Sequence, residues 1–352
     1  MVKNTLNLIS QKHIGQRIGL LALLGITVHL ILPQITALEN SWRVLKSMAL
    51  WGVGLAFIAQ VLSYLGSGFL LQKTLAIARQ VVSLMRSTLI VLGAASVGMV
   101  AGGTVGSSAA IYRWTSADEG SVEGATLASI LPSLFNNLML VLLSIFGLAH
   151  LILVHNLTQA QLIGFSAALF TLGLLIGISL LAVRYRSRAS AAIIWGASHV
   201  ARLRRRPYDP SLIRKEIDYI FTAWDALWRG EWHVLALGAF LNSAFDMLTL
   251  YLLFIAAGAN VSLGVLLSGY GLPLLLGKMA FIIPGGVGVV EGSMAALYNG
   301  LGVPNATTVV VVLGYRLISF WIPSLSGFPI AAYLQSTQKR NYQKELPHDP
   351  PK

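Results

Sequence analysis

Four charged residues lie inside segments of the chain that are otherwise apolar. They are the acids Asp246 and Glu291 and the bases Lys278 and Arg316, so their formal charges sum to zero. A charge at the centre of a bilayer costs about 2.5–3.5 kcal/mol on insertion scales, so each one needs a partner or water. We predict that Glu291 and Arg316 line a polar path for a passing head group, with Asp246 and Lys278 as their charge partners. The alternative is a structural ion-pair network that only locks helices together.

Polar and small residues beside these charges extend the candidate site. Asn242 lies four residues before Asp246, so the two side chains share one helix face. The pair Gly285-Gly286 precedes Glu291, which falls near the start of a short predicted helix. Backbone N–H groups at such a start favour anions such as phosphate, and the planar guanidinium of arginine also suits phosphate. We therefore add Asn242, Gly285 and Gly286 to the four charges as substrate-binding candidates.

The remaining side chains give little support to an enzymatic function. The chain has no cysteine, which excludes disulfides, thiol catalysis and zinc–thiolate sites. Its seven histidines show no HExxH spacing. No nucleophile or metal set accompanies Asp246 and Glu291 as an acid/base pair. We expect no metal, no cofactor and no covalent catalysis, and an intramembrane enzyme is the weakest of the functions considered.

Composition predicts that these residues are positioned by transmembrane helices. Apolar residues make up 55% of the chain and charged residues 11%, against roughly 25% charged in a soluble domain. A helix needs about 20 apolar residues to cross the hydrocarbon. We predict an all-α, polytopic helix bundle with one transmembrane domain at 1–334 and a disordered cytoplasmic tail at 335–352. The predicted apolar segments are 18–36, 48–71, 88–111, 125–154, 162–183, 232–257, 263–283 and 307–333.

Basic residues predict the orientation of the chain. Residues 184–231 contain ten Lys and Arg residues, which places this stretch in the cytoplasm. We expect both termini on the same side, in a multi-pass protein of the cell membrane. The net charge of +12 then indicates contact with anionic lipid and not with nucleic acid.

Within the basic stretch, two features are predicted. The run Arg202, Arg204, Arg205 and Arg206 is the candidate surface for anionic lipid. An amphipathic helix is expected to begin at Asp209-Pro210, because aspartate caps helices and proline suits their first position.

The same charge count predicts two re-entrant hairpins that enter from opposite faces. Counting spans back from 184–231 places 112–124 inside, and the basic residues of 72–87 place the other flank of 88–111 inside as well. Within this segment Gly98, Gly102 and Gly106 repeat every fourth residue. A tightly packed single helix is the alternative for this segment. Residues 263–304 must begin and end outside, with a turn near Gly285-Gly286. Irregular backbone at membrane depth requires burial in protein or a cavity, as in secondary transporters.

The C-terminal motifs resemble a known family. They are Pro284-Gly-Gly-Val-Gly-Val-Val-Glu291-Gly, then Gly302-Val-Pro304, then Tyr315-Arg316-Leu-Ile-Ser-Phe-Trp-Ile-Pro323. In order and spacing they are similar to the P-G-G-x-G-x-x-E, G-V-P and R-x-x-x-F-x-x-P pattern of the lysylphosphatidylglycerol synthase/flippase transmembrane family. The resemblance covers about residues 15–333.

The resemblance implies a lipid translocase. Members of that family move aminoacylated phosphatidylglycerol between leaflets, and relatives are linked to other lipids and polyprenyl carriers. We expect this chain, without the aminoacyl-transferase domain, not to synthesise lysyl-lipid. The expected substrate is a phospholipid or a polyprenyl-linked lipid. The alternative is a non-transporting membrane partner of an envelope lipid or glycan assembly enzyme, and a homo-oligomer is possible.

Overall fold

The computed structural model describes residues 38–116, 121–154, 184–203, 232–279 and 284–345, together with isolated positions between 163 and 221. Throughout these residues the regular elements are helices, which confirms the all-α class. The α-helices are α1 (Leu38–Ser47), α2 (Leu50–Ile77), α3 (Leu84–Val100), α4 (Thr104–Ser116), α5 (Val122–Val154), α6 (Arg186–Leu203), α7 (Trp232–Ala256), α8 (Leu263–Met279), α9 (Val289–Gly300), α10 (Asn305–Arg316) and α11 (Ile322–Glu345).

Four helical stretches are long and apolar enough to cross a membrane. They are Leu50–Ile77, Gly124–Val154, Trp232–Ala256 and the continuous stretch Asn305–Thr337. Helices α3 and α8 are apolar but shorter. This arrangement confirms the predicted multi-span bundle. The segment predicted at 18–36 lies outside the described residues, as does most of 162–183.

The most extensive helix contact joins α2 and α7. A Cβ added at Gly66 would lie 2.7 Å from the backbone nitrogen of Asn242, and one at Gly238 would lie 2.9 Å from the Cα of Leu70. Small residues thus let the two backbones touch, as is usual between membrane helices. This contact turns the polar side of α7 toward α2.

The first predicted hairpin is a pair of helices, α3 and α4, that pack on each other. The chain reverses at Gly102 and Gly103, whose φ angles of 88° and 65° are left-handed and favour glycine. A Cβ at Gly98 would lie 2.7 Å from the carbonyl oxygen of Gly103. The glycine repeat therefore lets α3 and α4 pack closely against each other. The alternative of a single helix is wrong, because the chain reverses between them. Entry of this pair into the membrane from one face stays a prediction.

The second predicted hairpin is also a packed helix pair, formed by α8 and α9. A 3₁₀ turn at Pro284–Gly286 lies between them. This turn contacts α3, so the tip of the second pair meets the first pair. Gly286 is buried and Gly285 is exposed. Non-helical backbone at membrane depth must be buried in protein or line a cavity.

The C-terminal helix extends beyond its predicted end. A π turn at Leu317–Trp321 joins α10 to α11, and α11 continues to Glu345. The predicted disordered tail is therefore wrong for 335–345. Its Gln, Lys, Arg and Glu residues are good helix formers, and they only extend a helix that already exists, which avoids the cost of nucleation.

The basic stretch contains one helix that was not predicted, α6, which includes Arg202. Arg204, Arg205 and Arg206 lie outside the described residues. Residues 214, 217 and 221 are helical, with Ile217 and Phe221 buried and Arg214 exposed. The amphipathic helix predicted to begin at Asp209-Pro210 stays a prediction.

Candidate functional site

Glu291 and Arg316 form an ion pair inside the bundle. The Arg316 Nε lies 2.6 Å from Glu291 Oε1. The side chain of Arg316 is 6% exposed and that of Glu291 is 13% exposed. Glu291 stands in the first turn of α9, and Arg316 is the last residue of α10. Breaking a buried pair by removing one partner typically costs 3–5 kcal/mol, because the other charge is left unpaired.

The glycines before α9 shape the backbone around this pair. Gly285, Gly286 and Gly288 have φ angles of 64°, 62° and 84°, which only glycine adopts readily. The Gly285 carbonyl accepts a hydrogen bond from Arg316 Nη2 at 2.7 Å. Gly285 therefore helps to hold the guanidinium, and the predicted role of Gly285 and Gly286 in substrate binding stays a prediction.

The start of α9 is occupied by its own carboxylate. The Gly288 N–H donates to Glu291 Oε2 at 2.6 Å, so the carboxylate caps the helix from within. The sequence predicted that these N–H groups would receive an external phosphate. At Gly288 that prediction is wrong, because the side chain of Glu291 is close enough to take the place of the ligand.

A π turn positions the other side of Arg316. The turn begins at Leu317, and it places the Phe320 ring 4.5 Å below the guanidinium carbon. π turns shift the backbone hydrogen bonds by one residue and occur frequently at functional sites. The Ser319 carbonyl in this turn accepts a hydrogen bond from the Tyr64 hydroxyl at 3.1 Å, so α2 also holds the turn.

Asp246 has two tyrosines as its hydrogen-bond partners, and not the charged partner that was predicted. Its Oδ2 accepts hydrogen bonds from the Tyr270 hydroxyl at 2.8 Å and the Tyr315 hydroxyl at 2.7 Å. Both tyrosines are almost fully buried, at 3% and 1% exposure. The prediction that Asp246 and Lys278 are the charge partners of Glu291 and Arg316 is wrong at the level of direct contact, because spacing along a sequence does not tell how helices are rotated toward each other. The acid and the base of the predicted path pair with each other instead.

Lys278 contacts an uncharged amide. Its Nζ donates to Asn137 Oδ1 at 2.5 Å, and its side chain is exposed on α8. The neighbouring Asn136 accepts a longer hydrogen bond, 3.4 Å, from Asn242 Nδ2. Asn242 in turn accepts from the Ser63 hydroxyl at 2.9 Å.

Together these contacts form a polar network across six helices, α2, α5, α7, α8, α9 and α10. Lys278 and Asn242 contact adjacent residues of α5, Asn242 and Asp246 are one turn apart on α7, and Tyr315 precedes Arg316. The sequence located the four charges and Asn242. It missed Tyr270 and Tyr315, because tyrosine counts as apolar in a hydropathy pattern although its hydroxyl seeks a partner when buried.

The position that follows Glu291 along α9 is unfilled. A Cβ added at Gly292, the residue after Glu291, would meet no heavy atom of the described residues within 4 Å. The Arg316 contacts above use two of its five N–H groups. A cation with unused donors beside open space can bind an anionic group such as phosphate.

An apolar groove of about 380 Å³ opens between α7 and α8. Phe245 and Met247, which flank Asp246 in sequence, are part of its lining. The other lining residues are Ala244, Leu248, Tyr251, Val261, Leu263 and Leu266. Polar and apolar surfaces therefore meet on the same stretch of α7.

Comparison with known proteins adds a family and two relatives. The family described as the lysylphosphatidylglycerol synthase TM region matches residues 18–327. A UPF0104 membrane protein of Methanothermobacter thermautotrophicus is 32% identical over 108 residues, which is 31% of this chain and 32% of the relative. A UPF0104 membrane protein of Pyrococcus horikoshii is 36% identical over 96 residues, 25% of this chain and 26% of the relative. The matched segments thus span about a third and about a quarter of these relatives.

Proposed function

Because the chain belongs to the family of lysylphosphatidylglycerol synthase TM regions, we propose that it moves the polar head group of a lipid between the two leaflets. The protein is an integral membrane protein with several spanning helices. The proposed substrate is a phospholipid or a polyprenyl-linked lipid. The proposed mechanism is transport without covalent chemistry, in the cell membrane, with both termini in the cytoplasm.

The observation that carries this proposal is the buried Glu291–Arg316 pair, together with the unfilled position at Gly292, the next residue of α9. A pair with the sole task of joining helices needs no space next to it. Here the Glu291 carboxylate already neutralises the charge of the guanidinium. An anionic head group that approaches Arg316 therefore binds through the unused N–H donors and not through a net opposite charge. The binding is accordingly weak enough to be reversible, which transport requires.

The polar network supports the same function. Apolar helices that only pack in lipid have no need for charged and amide side chains, which are costly in hydrocarbon. In this bundle six helices contribute polar side chains to four neighbouring hydrogen-bonded groups. The apolar groove beside Asp246 gives the adjoining acyl chain a surface to follow while the head group passes.

The proposal is tested with phosphatidylglycerol carrying a leaflet-specific label, in proteoliposomes that contain the purified protein. We expect Glu291→Gln with Arg316→Gln to abolish movement of the label. The double variant leaves no unpaired charge, so it avoids the main cost of either single change. Thermal unfolding is measured on the same samples. Lys46→Gln, which removes an exposed charge on α1, is the control and should retain movement.

Two results would overturn the proposal. One is wild-type movement in the folded double variant, which would make the pair purely structural. The other is no movement in the folded wild-type protein with any lipid tested, which would favour a non-transporting partner of an envelope lipid or glycan assembly enzyme.

A further inference from the structure

Asp246 is a carboxyl group inside the bundle whose direct partners are neutral. Tyr270 and Tyr315 both donate to the same oxygen, Oδ2. The two embedded cations are engaged elsewhere, since Lys278 contacts Asn137 and Arg316 contacts Glu291. Asp246 is half-buried. A carboxylate that is partly withdrawn from water and has no contacting cation is costly, and binding a proton removes that cost.

The groups that face Asp246 come from three helices. They are Gln60 and Tyr64 on α2, Tyr270 on α8, and Tyr315 and Arg316 on α10. Arg316 is the one cation among these groups, and it acts on the carboxylate through space while it contacts Glu291. The tyrosine hydroxyls can donate to either form of the carboxyl, so they tolerate both protonation states.

The second observation is an unpaired hydrogen-bond acceptor on Gln60. Its side chain is 5% exposed, and its Oε1 is buried without a hydrogen-bond partner among the described residues. A buried acceptor left unpaired costs about 1–3 kcal/mol. The amide of Gln60 interacts with Asp246. If Asp246 is protonated, its O–H supplies the donor that Oε1 lacks, after rotation of the amide.

We propose that Asp246 is a proton-binding site, that the Gln60 amide turns to follow its protonation, and that the proton accompanies an anionic head group through the protein. Asp246, Glu291 and Arg316 together carry one negative charge when Asp246 is ionised, which repels a phosphate. They are neutral when Asp246 holds a proton taken from water. The coupling to lipid rests on the proposed function, whereas proton binding does not.

Proton binding is tested by infrared spectroscopy of the protein in phosphatidylcholine vesicles, from mildly acidic to mildly alkaline pH. We expect a reversible carboxylic-acid C=O band that disappears in Asp246→Asn and persists in Glu291→Gln. In Tyr315→Phe the band should persist to higher pH, because the carboxylate loses a donor. In Gln60→Leu the band should change position. A band that does not titrate, or that is unchanged in Asp246→Asn, would overturn the proposal.

Coupling is tested in proteoliposomes with labelled phosphatidylglycerol and an imposed pH gradient. We expect the rate of label movement to follow the gradient in the wild-type protein and to ignore it in Asp246→Asn. A wild-type rate that ignores the gradient would overturn the coupling while the infrared result stands. Absence of any label movement would instead be a failure of the proposed function.

Discussion

Arg316 is the residue on which most of the site converges. Its guanidinium donates to Glu291 and to the Gly285 carbonyl and lies over the Phe320 ring. A fork of fixed N–H groups can make these contacts together, which a lysine ammonium on a flexible stem cannot reproduce. The site therefore depends on the shape of arginine as well as on its charge.

At the residue scale, the structure predicts which embedded charges are coupled. Asp246→Asn and Lys278→Met should change the free energy of unfolding additively, within about 0.5 kcal/mol, because the two residues share no contact. Glu291→Gln and Arg316→Gln should show a coupling of about 0.5–3 kcal/mol. Denaturant unfolding of the single and double variants in detergent measures both cycles. Strong coupling of Asp246 with Lys278 would contradict the observed partners.

The residues of the site could be predicted from the sequence better than their pairings. A charge in an apolar segment is visible at once, which is why Asp246, Lys278, Glu291 and Arg316 were found. Their partners depend on the rotation of each helix about its axis and on the hydroxyl groups of Tyr270 and Tyr315. Neither follows from the spacing of residues along one helix.

At the scale of elements, glycine decides how closely the helices approach. At Gly66 an added Cβ would press on the backbone of Asn242, which cannot move aside, whereas at Gly54 on the same helix it would meet nothing within 4 Å. Helices α2 and α7 are therefore held at backbone contact at Gly66, next to Ser63 and Asn242 of the polar network.

We expect Gly66→Ala to destabilise the protein by about 1–3 kcal/mol through overpacking. Gly54→Ala should be neutral or stabilising by up to about 1 kcal/mol, because alanine favours the helix over glycine. Thermal unfolding of both variants under one condition makes the comparison. Equal stability of the two variants would contradict the packing of α2 on α7.

Element types could be predicted, but several boundaries could not. The apolar runs gave α2, α5 and α7 nearly as observed, and the charge count gave the reversals at Gly102-Gly103 and at Pro284–Gly286. Helix α6 and the extension of α11 to Glu345 were missed. Their polar residues carry no hydropathy signal, so only continuity with neighbouring helices produces them.

At the scale of the whole molecule, the predicted orientation leads to a labelling experiment. The chain has no cysteine, so single substitutions report cleanly. Ser187 on α6 and Asn260 after α7 are both exposed. With a membrane-impermeant maleimide on intact cells, Asn260→Cys should react and Ser187→Cys should react only after permeabilisation. The reverse pattern would contradict the orientation predicted from the Lys and Arg residues.

The central claim is that a head group passes through the space beside Glu291. Gly292 and Gly300 stand on one face of α9, two turns apart, and a Cβ at either meets nothing within 4 Å among the described residues. Leucine at either position should therefore leave thermal unfolding nearly unchanged, within about 0.5 kcal/mol. Position 292 adjoins Glu291 in the chain, whereas position 300 lies two turns away from it.

The most direct test compares movement of labelled phosphatidylglycerol in proteoliposomes of Gly292→Leu and Gly300→Leu. We predict that Gly292→Leu stops the movement and that Gly300→Leu retains it, with both variants as stable as the wild-type protein. Wild-type movement in a folded Gly292→Leu variant would contradict the account, because the head group would then have to take another route.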